Sequence, residues 1–116
     1  MRRTALIVLL LASTVGCNFY IKPKMYVSVS NVSGQTLRNI EVAYPGGSYG
    51  MPALGDQQTN RRIVEYEGQC KFTVNMEDTS GKKLGQKQFD VGGKCPEELL
   101  IEIKPNFEVE SRSLAR

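Results

Sequence analysis

A period of two along the chain is its strongest structural constraint. Between residues 70 and 77, Cys70, Phe72, Val74 and Met76 alternate with Lys71, Thr73, Asn75 and Glu77. Successive side chains of a strand point to opposite faces, so this run forms one apolar and one polar face, a division that a helix cannot reproduce. The same period recurs at 24–30, where Met25, Val27 and Val29 oppose Tyr26 and Ser28. At 37–44, Ile40, Val42 and Tyr44 oppose Asn39, Glu41 and Ala43. It returns at 62–67, at 82–91 with Phe89 and Val91 facing in, and at 99–104 with Leu99, Ile101 and Ile103 on one face.

Turn chemistry punctuates these runs. Asn31 to Gln35 (NVSGQ), Pro45-Gly46-Gly47-Ser48, Asp78-Thr79-Ser80-Gly81 and the stretch 92–96 (GGKCP) are breaks rich in Gly, Pro, Asn and Ser. Residues 49–60 are the least regular, with a short edge strand expected at 51–54. Phe107 and Val109 extend the last strand past Pro105, and residues 111–116 are expected to fray. No stretch carries a helical stripe. About six or seven short strands with turns every 8–12 residues predict an all-β chain folded as a small antiparallel sandwich.

The N-terminus has a different character. Arg2 and Arg3 precede an uncharged apolar run, TALIVLLLA, which small residues and Cys17 follow. A charged start, a short apolar core and a small-residue exit are the parts of a secretory signal peptide. The run is shorter than the roughly 20 apolar residues a membrane-spanning helix needs. Thr14-Val15-Gly16-Cys17 resembles the lipobox of bacterial lipoproteins, although Thr14 stands where that family prefers Leu. The resemblance implies lipid transfer to the Cys17 sulfur, removal of residues 1–16 and acylation of the new amino group. Each buried acyl methylene adds about 0.8 kcal/mol of membrane affinity, so several chains anchor durably. By the same resemblance, Asn18 after the cysteine points to the outer membrane, facing the periplasm. Residues 17–24 are then a short tether that Pro23 stiffens, and 25–110 the sandwich domain.

Removing 16 of 116 residues leaves 100, enough for one domain with a modest core. With Cys17 lipidated, the three cysteines reduce to an even pair, Cys70 and Cys95. An exported chain meets oxidising conditions, so a Cys70–Cys95 disulfide is expected. Two reduced buried cysteines and a catalytic thiol are the alternatives. The strand pattern resembles the immunoglobulin-like sandwiches of small bacterial lipoproteins, without a Trp for the Cys–Trp–Cys core of true immunoglobulin domains.

Residue types narrow the chemistry. The chain has no His, which removes Ser-His-Asp and Cys-His nucleophile systems and most zinc and copper sites. Of 15 basic residues, the signal carries two, leaving 13 against 12 acidic ones, far from the basic footprint of a nucleic-acid binder. No phosphate-loop spacing occurs. Glu65 with Glu67, Glu77 with Asp78, and Glu97 with Glu98 are adjacent carboxylates, read as solvated strand faces and turn residues before acid–base pairs. Arg61-Arg62 and Lys82-Lys83 read as solubilising edge protection. Asn31-Val32-Ser33 fits a glycosylation sequon by chance.

The segment 44–54 (YPGGSYGMPAL) combines loop residues with Tyr44, Tyr49 and Met51, which are the candidate partner contacts. The competing reading places Tyr44 and Leu54 in the core. The expectation is therefore a lipid-anchored, non-enzymatic binding or structural module of the bacterial envelope, with a protein partner and no cofactor beyond the lipid on Cys17. A periplasmic inhibitor or immunity protein using 44–54 as a plug is the alternative.

Overall fold

The computed structural model describes residues 22–91 and 95–114. The expected signal peptide, Cys17, most of the expected tether, residues 92–94 of the GGKCP break and residues 115–116 lie outside the described residues. Eight strands follow one another: β1 Lys24–Asn31, β2 Leu37–Tyr44, β3 Gly47–Leu54, β4 Thr59–Glu65, β5 Lys71–Glu77, β6 Lys83–Asp90, β7 Glu98–Ile103 and β8 Val109–Leu114. They form two four-stranded sheets, ordered β4-β1-β7-β8 and β3-β2-β5-β6, as expected of an all-β sandwich.

The alternating apolar residues face each other across the gap. Met25, Val27 and Val29 of β1 and Leu99, Ile101 and Ile103 of β7 meet Ile40 and Val42 of β2 and Phe72, Val74 and Met76 of β5, all buried. Cys70 and Cys95 form the disulfide, with Cα atoms 5.0 Å apart and 25 positions separating them. It ties the start of β5 in one sheet to the approach to β7 in the other. Closing a loop of that length removes denatured-state entropy worth about 3–4 kcal/mol in the chain-entropy model.

Three expectations need correction. First, the sheets are not wholly antiparallel: β1 and β7 run parallel, from Tyr26 opposite Glu98 to Asn31 opposite Ile103. β7 enters after a crossover from β6 in the other sheet, so it arrives beside β1 in the same direction. Second, residues 47–54 are a full strand. Pro45 and Gly46 make a two-residue turn that pairs Tyr44 with Gly47, and Gly46 supplies φ +104°. Third, residues 111–114 do not fray. A short 3₁₀ turn at Pro105–Phe107 reverses the chain, and β8 pairs with β7 as far as Leu114 opposite Glu98. The sandwich therefore has eight strands and runs beyond residue 110. Within β2 the expected faces of Ile40 and Val42 hold, and Asn39 (φ 47°) sits in a β-bulge, where the register with β5 shifts between Arg38 and Glu41. The extra residue puts Leu37 on the buried face with Ile40, three positions away.

Candidate protein-binding face

The structure draws the expected contacts toward the core. Tyr49 and Met51 point into the core from β3, and Tyr44 is half-buried at the end of β2. The Tyr44 ring packs at 6.0 Å from Phe72 and 6.4 Å from Tyr49. Segment 44–54 is thus a hairpin that closes one edge of the sandwich, and burial withdraws Tyr49 and Met51 from any partner. The Tyr49 hydroxyl is buried without a hydrogen-bond partner. Burial pushes its pKa up to about 12 despite the nearby Arg62 guanidinium, which stacks 4.9 Å from the ring centroid.

The carboxylates hold structural partners. Glu65 lies 4.0 Å from Lys24, Glu67 2.8 Å from Lys22, Glu98 2.7 Å from Arg61, and Glu77 accepts a hydrogen bond from Asn39. Among the described residues no group of three or more His, Cys, Asp or Glu could hold a metal ion. Arg61 and Arg62 diverge, Arg61 to the outer face of its sheet and Arg62 to the inner side.

The outer face of the β4-β1-β7-β8 sheet offers what the 44–54 segment does not. Strand pairing places side chains there in rows. Ile63, Tyr26, Glu98 and Leu114 form one row, and Arg61, Ser28, Leu100 and Arg112 the next. Among the described residues, Ile63 is the large apolar side chain left exposed, at 55%. Tyr26 is half-buried on the neighbouring strand β1, and Leu100 and Leu114 are half-buried two and three strands away. Arg61 is braced by two contacts. Its guanidinium lies 3.9 Å from the Tyr26 ring centroid, and its Nε and Nη2 donate to Glu98 at 3.0 and 2.7 Å. At the far edge Arg112 faces Glu102 at 3.3 Å, and Lys104 meets Glu110 at 2.7 Å. That hydrogen bond and its charge hold the Glu110 carboxyl below the ordinary range and raise Lys104. The result is an exposed Ile63 beside half-buried Tyr26 on the β4–β1 side of the sheet, with paired arginines and carboxylates across the rest of the face. Periodicity set Tyr26 opposite the apolar face of its strand and gave Ile63 and Arg61 no face, so only the strand order reveals that they meet.

Two open clefts flank β6 on the other sheet. One of about 520 Å³ is lined by Asn39, Glu41, Asn75, Glu77 and Lys83, and one of about 440 Å³ by Leu84, Lys87, Phe107 and Glu110. Both border Gly85 (φ +101°) and Met76, where a bulge in β6 opens the edge.

No protein-family model and no curated protein matches the chain. Among solved structures, a protein from Eubacterium rectale determined by NMR is similar in fold, with a TM-score of 0.54 and 17% sequence identity over 78% of this chain and 87% of that one. At that identity the likeness extends to the fold alone.

Proposed function

We propose that this chain is a lipid-anchored, non-enzymatic protein-binding module of the bacterial envelope, held by acylated Cys17 and facing the periplasm from the outer membrane. The observation that carries the binding role is exposed Ile63, set beside Tyr26 and the braced Arg61. Exposed apolar side chains next to Tyr and Arg are the composition of interface anchors, and a preorganised arginine loses little freedom on binding. The lipobox-like end of the signal supports the anchor, and the short tether keeps the face near the membrane. The inhibitor reading loses its main support, because the segment that would act as a plug is folded into the sandwich.

The test is affinity capture of the tagged full chain from gently solubilised envelopes, with Ile63→Asp and Tyr26→Ala compared with the parent. A co-purifying protein whose yield drops at least roughly tenfold in both variants is expected, since central anchors commonly contribute 2 kcal/mol or more. Capture unchanged by both variants would move the binding site off this face. A captured hydrolase or toxin would restore the inhibitor reading.

A further inference from the structure

The sandwich has four edge strands, and three of them are guarded. β3 carries Pro52, whose alternation from the Tyr44–Gly47 pair places its absent N–H on the solvent side. β4 turns Arg62 inward toward Tyr49, a charge in the path of any added strand. β6 is bulged at Gly85 and lined by Lys83 and Lys87. These are the devices by which natural sheets prevent edge-to-edge pairing. β8 has none of them. Its sequence VESRSL pairs with β7 in unbroken register, with no Pro, Gly or Lys.

The hydrogen-bond phase of β8 is fixed. The Lys104 N–H donates to the Glu108 carbonyl, which makes 104 and 108 a hydrogen-bonded pair. Alternation then turns the backbone groups of Glu110, Arg112 and Leu114 toward β7 and leaves those of Val109, Ser111 and Ser113 facing outward. On β7, Ile103 accepts from the Val32 N–H on the β1 side, in keeping with that phase.

We propose that β8 pairs with the β8 of a second copy of this chain, antiparallel and centred on Ser111. In this register the outward-facing backbones of 109, 111 and 113 meet those of 113, 111 and 109. Each Glu110 lies opposite the other copy's Arg112, and both side chains are exposed. A shift of two residues either way sets Glu110 against Glu110 or Arg112 against Arg112, so charge selects the register. The two-fold axis runs through Ser111, a closed and self-complementary contact. It joins two four-stranded sheets into one of eight, with both Ile63 faces on the same side. One six-residue edge is a small interface and weak in dilution. The membrane anchor, on which this part rests, raises the effective concentration. Antiparallel pairing puts the two tethers at opposite ends of the joined sheet. Seven residues, 17–23, reach up to about 25 Å, which lets both copies sit in one membrane with their strands lying along it.

The test places cysteines in the full chain, expressed in cells with its own signal. Paired Cα atoms at a hydrogen-bonded position lie about 5.5 Å apart, within disulfide reach. Ser111→Cys is therefore expected to give at least roughly tenfold more disulfide-linked dimer than Ser113→Cys, whose own counterpart lies about 14 Å away along the strand. Glu110→Arg in the Ser111→Cys background should abolish the linked dimer, and adding Arg112→Glu should restore it. Both serines are exposed, so folding is not at stake. Ile63→Asp should leave the cross-link intact, which separates this contact from the partner-binding face. Equal linking at 111 and 113, no linking at 111, or linking at 111 to a different protein would each overturn the proposal.

Discussion

Asn31 shows how much of this fold one buried polar side chain can hold. It is fully buried at the end of β1. Its Nδ2 donates to the carbonyls of Gln35 and Leu54 at 2.7 and 2.9 Å, and its Oδ1 accepts from the Ser33 N–H and hydroxyl. One amide thus shapes the 32–36 turn and pins the end of β3 to β1 across the gap between the sheets. The same burial removes the Asn31-Val32-Ser33 sequon from any glycosylating enzyme. Asn31→Ala would remove the side-chain partner of the Leu54 carbonyl and of the Ser33 N–H, leaving the Gln35 carbonyl to the Ser33 hydroxyl, and should cost about 3 kcal/mol, read as a lower urea midpoint with an unchanged slope. A loss below 0.5 kcal/mol would mean that water replaces the amide without penalty.

At the scale of elements, the β5–β6 hairpin is closed by Asp78. Its Oδ1 accepts from the Ser80 hydroxyl at 2.6 Å, the Ser80 N–H at 2.9 Å and the Lys82 N–H at 3.0 Å. The Ser80 hydroxyl is the largest cause holding this exposed carboxyl below its ordinary pKa, and the Lys82 N–H is the next. A depressed folded-state pKa means that the contribution to stability is present above the unfolded value of 3.8 and is lost as pH falls through the lower folded one. In an NMR titration the Lys82 amide should therefore shift with a midpoint below the ordinary Asp value, and Ser80→Ala should move that midpoint upward. An unmoved midpoint would deny the hydroxyl its role. This hairpin was legible in the sequence, because Asp at the start and Gly81 at the end have local jobs. β3 was legible only over 51–54, since Gly50 and Pro52 look like breakers until their outward, edge-strand positions are known. β8 was hidden for a related reason. Its inward positions Ser111 and Ser113 stay exposed, so no apolar alternation marks it. The shift that buries Leu37 with Ile40 depends on one left-handed residue, Asn39, which period counting cannot register.

For the whole molecule, alternation specified an all-β sandwich, and cysteine parity specified its staple, because both are local or countable. Strand order is neither. The parallel β1–β7 pair arises from a crossover between sheets, and with it comes the row that seats Ile63, Tyr26 and Arg61 together. The candidate face was therefore unreadable before the topology was known, while the candidate anchor lies wholly in the first 17 residues. We propose that anchor and face act together: a sandwich held at a membrane and presenting one sheet. The most direct test is the mass of the N-terminal peptide released from the membrane-purified protein. A peptide beginning at Cys17 and carrying the mass of acyl chains is the predicted result. A peptide with unmodified Cys17, or one beginning at another residue, would contradict the account.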